Sequence, residues 1–145
     1  MLWADDWEYG AGAIILCVTL HSLALIGLAR LMFHEKMRRF RQSSLLVSSF
    51  MFAIFALVAI ALHAAEAAIW AALYVHIGAV DDFPSAFLHS LGAFTTLGDS
   101  TVVVDLRWRL LIQLEALNGA VALGLTTALL YSSARRVQRI IDGSS

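Results

Sequence analysis

Six consecutive residues in the second half of the chain combine a glycine with short oxygen-bearing side chains: Thr95-Thr96-Leu97-Gly98-Asp99-Ser100. Backbone carbonyls, hydroxyls and carboxylates offer the oxygen ligands that hard cations bind. Several copies of Asp99 around one axis would form a carboxylate ring that attracts divalent cations, and its members would titrate together. The residue types therefore make this stretch a candidate cation-binding segment; the alternative is an acidic turn that binds no ion.

A second set of polar side chains lies inside long apolar runs, where ionisable groups are costly and usually functional. Counted from the predicted outer ends of their runs, His21, Glu66 and Glu115 lie roughly 15 to 17 Å deep. Three interpretations are open: a hydrogen-bonded brace, a proton- or metal-binding site, or a glutamate that faces a water-filled path. The set is His21, His63, Glu66, Glu115 and Asn118.

The metal-binding alternative draws on the spacing of these residues. His63 and Glu66 are three residues apart, so both face one side of a helix and can reach one ion. His63, Glu66 and Glu115 are the candidate metal ligands, and His21 adds a further imidazole in a membrane-embedded metal or redox protein. No pattern typical of catalysis is recognisable, so the sequence does not predict an enzyme.

Composition defines the elements that must position these residues. Of the 145 residues, 60% are hydrophobic and 14% are charged, which is typical of an integral membrane protein. Three runs are long enough to span a bilayer as helices: 10–33, 44–77 and 105–135. The only cysteine, Cys17, excludes a disulfide within the chain. We expect an all-α integral membrane protein with three transmembrane helices.

The stretch between the second and third runs is too short to cross and return as two helices. Pro84 suits the first turn of a helix, and Asp82 is a cap just before it. A helix over 84–95 would be roughly 16 Å long, against a hydrocarbon core of roughly 30 Å. A polar extended segment would then return to the side of the membrane from which the helix entered. Such backbone is tolerated only where protein buries it or where it lines a water-filled path, so the pattern predicts a re-entrant pore helix.

Basic residues predict the orientation. With three spanning helices, both basic clusters lie on one side, which the positive-inside rule makes cytoplasmic. A full crossing by 83–104 would instead separate the clusters. The N-terminus is then outside and the C-terminus cytoplasmic. The short cluster indicates contact with anionic lipid and no nucleic-acid binding. The clusters are Arg30, Lys36, Arg38, Arg39 and Arg41, then Arg135, Arg136 and Arg139.

The residues Phe94 to Asp99, with this order of helices, resemble the P-loop of the tetrameric potassium-channel superfamily. The resemblance covers 44–136 and implies a homotetrameric pore. It implies an outer helix over 44–77, a pore helix over 84–95, a filter loop over 96–100 and an inner helix over 105–135. Residues 1–43 would add an N-terminal transmembrane helix with a basic cytoplasmic loop, and 137–145 a cytoplasmic tail.

The filter of that family reads Thr-x-Gly-Tyr-Gly-Asp, and its backbone carbonyls replace the hydration shell of potassium. Thr96-Leu97-Gly98 matches the first half, but the Tyr-Gly pair is absent. The segment from Thr95 to Ser100 looks like the filters of weakly selective channels. The resemblance implies passive conduction of potassium or sodium without a cofactor, with a divalent cation at Asp99. A structural homologue that does not conduct is the alternative.

The residues after the filter resemble the inner helix of small bacterial ion-channel proteins, and this resemblance implies a bacterial inner membrane. The matching stretches are Trp108-Arg109-Leu110-Leu111, Glu115-Ala116-Leu117-Asn118-Gly119 and Gly124-Leu125-Thr126-Thr127-Ala128. The resemblance places a gating hinge near Gly119, and helical spacing makes Ala122, Gly124 and Thr126 candidates for lining the pore. The alternative is that the two glycines only let helices pack closely.

Overall fold

The part of the chain that can be described is helical apart from short connecting turns, with no strand in it. A computed structural model describes residues 3–34, 45–98, 102 and 104–141. Within these residues the α-helices are α1, Ala4–Phe33; α2, Leu45–His76; α3, Phe83–Phe94; and α4, Arg109–Ile141. A short 3-10 helix, Leu106–Trp108, precedes α4.

Three of the helices are long and apolar enough to span a membrane. The qualifying stretches are Ala4–Leu31, Leu46–His76 and Arg109–Arg135. The predictions of an all-α protein and of three transmembrane helices are confirmed at this level. The basic cluster between α1 and α2, from Lys36 to Arg41, lies outside the described residues.

The last helix differs from its predicted bounds at both ends. It starts at Arg109 because the Asp105 carboxylate accepts a hydrogen bond from the Arg107 N–H (3.0 Å) and holds a 3-10 turn there. It continues through Ile141, so part of the tail predicted over 137–145 is helical. The sequence has no glycine or proline between Gly124 and Gly143 to end the helix earlier.

Helices α1 and α4 run parallel and start at the same level. The Asp6 carboxylate accepts a hydrogen bond from the Leu111 N–H (3.1 Å), and His21 Nε2 lies 3.2 Å from Thr126 Oγ1. Both pairs are separated by 105 residues, as are the first residues of the two helices. A constant separation is what two parallel helices in register produce.

Helices α2 and α3 run antiparallel. The Tyr74 ring packs edge-on against His89 with 5.4 Å between centroids, and the His63 ring lies 5.7 Å from that of Phe94. Residue numbers thus fall along α2 as they rise along α3. His63 lies between three and four turns before the end of α2. The end of α3, which packs beside His63, is therefore about 20 Å along the bundle from the end of α2.

The beginning of α3 has the capping pattern that its sequence predicts. Pro84 occupies the first turn, and the Asp82 carboxylate accepts a hydrogen bond from the Ser85 N–H (2.9 Å). This backbone hydrogen bond, with a contribution from the Ser85 side chain, lowers the pKa of Asp82 below its ordinary value. Gly78, with φ +68°, supplies the left-handed turn that reverses the chain after α2.

The end of α3 packs directly on the backbone of α4. A Cβ atom at Gly119 would overlap the carbonyl oxygen of Phe94, so only glycine allows this approach. Gly119 lies nearly three turns into α4, about 15 Å from its first residue. By Asp105 the chain is back at the start of α4. Helix α3 therefore enters the bundle, and the chain returns to the end from which it came.

Candidate functional site

The turn after α3 contains the first residues of the predicted cation-binding segment. Thr96 has φ +59° and Gly98 has φ +78°. Their N–H groups donate to the carbonyl oxygens of Ala93 and Gly92, each at 3.0 Å, and so cap the end of α3. A β-branched residue rarely adopts positive φ, and such conformations cluster at functional sites.

This turn is exposed, although it lies deep along the bundle. Leu97 is 86% exposed, and Thr95, Thr96 and Gly98 are exposed beside it. The segment was predicted to be extended, but it begins as a hydrogen-bonded turn because the free carbonyls at the end of α3 recruit the next N–H groups. Of the predicted filter residues, Asp99 and Ser100 lie outside the described residues.

Glu115 lies in a buried polar group that joins three helices. The Tyr74 hydroxyl donates to Glu115 Oε2 (2.7 Å), Ser90 Oγ lies 2.7 Å from the Ala67 carbonyl oxygen, and Ser90 Oγ also contacts Glu115 Oε1. We call Tyr74, Ser90 and Glu115 the outer cluster. It connects α2, α3 and α4 beside the short helix, and of the polar residues named in the sequence analysis it contains only Glu115.

The Ser90 hydroxyl has one hydrogen and lies between two acceptors, the Ala67 carbonyl oxygen and Glu115 Oε1. If Ser90 donates to Ala67, a protonated Glu115 can donate to Ser90 Oγ. If Ser90 donates to Glu115, an ionised carboxylate accepts from both Ser90 and Tyr74. An unpaired charge is costly at this fully buried position, so we predict that Glu115 is neutral.

A second polar group lies deeper in the bundle, between α1, α2 and α4. His21 Nδ1 is 2.8 Å from Glu66 Oε1, His21 Nε2 is 3.2 Å from Thr126 Oγ1, and His63 Nδ1 is 3.7 Å from Glu66 Oε2. The two imidazole rings stack with 5.3 Å between centroids. We call His21, His63, Glu66 and Thr126 the inner cluster. Its two imidazoles and one carboxylate are groups that can bind a metal ion or hold a proton.

The residues predicted to share one level are divided between these two clusters. Of the four residues of the metal-binding alternative, His21, His63 and Glu66 lie together, whereas Glu115 lies in the outer cluster. The reason is depth: Glu115 lies less than two turns into α4, about 9 Å from its start, whereas Thr126 lies about 25 Å from it. Counting from the predicted start at 105 placed Glu115 too deep.

Asn118 borders the inner cluster. It lines a narrow crevice with Cys17, His21 and Glu66, and it is 4% exposed. Neither amide atom of Asn118 has an oxygen or nitrogen partner among the described residues. The buried Cys17 thiol, one turn before His21 on α1, is a polar neighbour of this amide.

The predicted lining residues of α4 have different surroundings. Gly119, Ala122 and Thr126 are buried inside the single chain, whereas the prediction places them beside a water-filled path. Their face packs on α1 and α3 because it carries the small and polar residues that permit close contact. Gly124 is exposed, with open space where a Cβ would be.

Two functional candidates were missed in the sequence, namely Tyr74 and Ser90. Tyr74 lies two turns after Glu66 and so shares its helix face, which is the signal that could have revealed it. Ser90 is one of several serines in apolar surroundings, and only its contact with Glu115 distinguishes it.

Comparison of the chain with protein-family models, with curated proteins and with solved structures found no match in any of the three.

Proposed function

We propose that this protein is a passive cation channel of a bacterial inner membrane, built from four copies of the chain. The placement of α3 carries the proposal. Its last residue, Phe94, lies about 15 to 20 Å from the outer ends of α4 and α2, near the middle of a roughly 30 Å hydrocarbon core. The exposed, non-helical turn that follows would be unstable in lipid, and a water-filled path would provide its solvent.

The polarity of α3 favours a cation at this turn. A helix carries partial negative charge at its C-terminus, and α3 ends at the exposed residues Thr95 to Gly98. Carbonyls of this segment and the Thr96 hydroxyl would replace water around the ion. Asp99, outside the described residues, would place a carboxylate at the outer mouth. Fewer carbonyls than in a Tyr-Gly filter imply conduction of both potassium and sodium.

Assembly follows because one loop cannot enclose a path. A closed ring of four copies would bring the loops together around an axis. The exposed face of α4 lies opposite its buried face and supplies an apolar stripe toward that axis. The stripe consists of Leu117, Val121, Gly124, Ala128 and Tyr131. The N-terminus would be outside, because the basic residues then lie in the cytoplasm.

A liposome flux assay with potassium, sodium and calcium tests the proposal. We expect potassium and sodium to pass at comparable rates and calcium to reduce both fluxes. Liposomes without protein, and liposomes with heat-denatured protein, are the controls. No flux above these controls for any of the three ions would refute conduction.

Labelling tests the path of the loop separately. Leu97→Cys places a thiol at an 86% exposed position, while the native Cys17 is buried and contributes little background. A membrane-impermeant thiol reagent added outside should modify Leu97→Cys through the aqueous path. Lys36→Cys, in the basic cluster, is the matched control and should react only from the cytoplasmic side. Modification of Leu97→Cys only from the cytoplasmic side would contradict the re-entrant loop.

A further inference from the structure

The inner cluster contains buried polar atoms that lack hydrogen-bond partners among the described residues. These atoms are both ring nitrogens of His63 and Oε2 of Glu66. Glu66 is 1% exposed, so bulk water does not solvate its carboxylate. Buried polar atoms are nearly always satisfied by protein, ordered water or an ion. His63 Nδ1 and Glu66 Oε2 face each other at 3.7 Å, which is too long for a hydrogen bond but close to the spacing of two ligands of one ion.

We propose that His21, His63 and Glu66 bind one divalent transition-metal ion, with Zn²⁺ as the best match. Each offers one ligand atom, and these atoms all lie within 4.8 Å of one another. A tetrahedral zinc site with bonds of about 2.0–2.2 Å separates its ligand atoms by roughly 3.3–3.6 Å. Small side-chain rotations would bring the three ligand atoms to that spacing.

The chemistry of the three donors selects this class of metal. Imidazole nitrogen suits zinc and its neighbours in the transition series, whereas calcium and magnesium require oxygen ligands. Two imidazoles and one carboxylate leave one tetrahedral position open, which water or a fourth ligand fills in zinc proteins. The ion would replace the present contact between His21 and Glu66, whose polar atoms are 2.8 Å apart.

Thr126 would orient one of the ligands. With the metal on Nδ1 of His21, the hydrogen of that ring lies on Nε2, and Thr126 Oγ1 is 3.2 Å away to accept it. Hydrogen bonds of this kind fix the tautomer and the ring orientation of metal-bound histidines. Thr126 is thus a positioning residue that belongs to α4, so all three long helices contribute to the site.

The site is accessible from one side. The His63 side chain is 14% exposed, while those of His21 and Glu66 are almost fully buried. His63 also contacts the Phe94 ring at the end of α3. A metal would enter past His63 and join α1 to α2 behind α3. This inference is independent of ion conduction, since the three ligands come from one chain.

Zinc binding to the full-length protein in detergent tests the proposal. After chelator treatment and desalting, zinc is titrated against a competing indicator, and bound metal is measured by elemental analysis. We expect one zinc per chain. His63→Gln removes a ligand and should lower the affinity by at least about 100-fold, since loss of a mere orienting partner already costs about 10- to 100-fold. The loss of zinc affinity in Thr126→Val should lie within the smaller range of about 10- to 100-fold.

His76→Gln is the matched control, because it removes an exposed imidazole from the outer end of the same helix. Its zinc affinity should equal that of the wild type. Cobalt provides a measurement that needs no variant: the wild-type protein should give the intense visible bands of tetrahedral Co²⁺, and zinc should abolish them. Absence of these bands, no zinc retained by the wild type, or wild-type affinity in a folded His63→Gln variant would each overturn the proposal.

Discussion

At the scale of single residues, Glu115 shows how a carboxyl can be buried in an apolar helix without a counter-ion. Its two oxygens face the hydroxyls of Tyr74 and Ser90, and Ser90 also faces the carbonyl of Ala67. A neutral acid would accept from Tyr74 and donate to Ser90, which leaves the Ser90 hydrogen for Ala67, whereas a carboxylate would accept from both hydroxyls. A neutral Glu115 would therefore hydrogen-bond as an amide does, and this difference gives a direct test.

Glu115→Gln should preserve the outer cluster, because its amide can donate to Ser90 while its carbonyl accepts from Tyr74. Glu115→Met has a similar size but leaves the Tyr74 hydroxyl unpaired, and it should destabilise the fold by about 1–3 kcal/mol. Thermal unfolding in detergent measures both variants. If Gln destabilises as much as Met, Glu115 is ionised in the native protein. An infrared band of a protonated carboxyl that disappears in Glu115→Gln would provide independent support.

The sequence predicted the charged members of the clusters but not their partners. His21, Glu66 and Glu115 were identified because ionisable side chains are conspicuous in apolar runs. Tyr74 and Ser90 were not, since hydroxyl residues are ordinary in membrane helices. Which charged residues meet depends on the relative heights of the helices, and these follow from contacts such as that of Asp6 with the Leu111 N–H.

At the scale of helices, the closest contact is between the end of α3 and Gly119. Gly119→Ala should displace Phe94, because the new Cβ would overlap its carbonyl oxygen. We expect a loss of stability on the order of 1–3 kcal/mol and reduced cation flux. Gly12→Ala, on α1, is the matched control: its Cβ meets nothing within 4 Å, and the higher helix propensity of alanine should leave stability unchanged or improved.

Unfolding midpoints and flux of the two alanine variants, measured under the same conditions, distinguish packing from flexibility at Gly119. A variant Gly119→Ala that is as stable as Gly12→Ala, yet alters flux, would favour the hinge implied by the family resemblance. Loss of both stability and flux would favour close packing of α3 on α4.

The Asp82 cap of α3 should contribute stability at neutral pH that is lost in acid. The pKa of Asp82 is lowered by its hydrogen bonds with Ser85, so the ionised form is favoured in the folded state. This contribution is present at neutral pH and is lost as the pH falls below the ordinary aspartate value of about 4. Asp82→Asn keeps a capping oxygen but cannot titrate.

The difference in unfolding midpoint between the wild type and Asp82→Asn should therefore favour the wild type at pH 7 and shrink towards pH 3. All other carboxyls are common to both proteins, so their titration cancels in the difference. A difference that stays constant over this range would show that the Asp82 charge does not stabilise α3.

Helix α3 was predictable to within one residue at each end because Asp82 and Pro84 are strong local signals and Thr95 stops the apolar pattern. The ends of α4 were not. Its start depends on the hydrogen bond between Asp105 and Arg107, and its end lacks any breaking residue. The bounds of α3 could thus be predicted from local sequence, whereas the start of α4 depends on a turn at Asp105 that the sequence did not reveal.

At the scale of the whole molecule, α1 is fastened to α4 along most of its length. Besides the contacts of Asp6 and His21, the Asp5 carboxylate forms an ion pair with Arg107 (2.6 Å), and the Tyr9 ring packs edge-on against Trp108. The exposed ion pair contributes little by itself. Together these contacts fix the height of α1, and they place His21 where it meets Glu66.

The assembled channel leads to the last prediction, which concerns Asp99. Four copies of this residue at the outer mouth would hold a divalent cation in the path of the monovalent ions, because divalent cations such as calcium prefer several carboxylate oxygens. Asp99→Asn should therefore weaken the block of potassium flux by calcium while flux without calcium persists. Asp81→Asn, in the acidic link between α2 and α3, is the matched control. Calcium should block its potassium flux as strongly as that of the wild type. Equal calcium sensitivity of all three proteins would show that no carboxylate ring forms at Asp99, and a native mass spectrum with a stoichiometry other than four would rule out the fourfold arrangement.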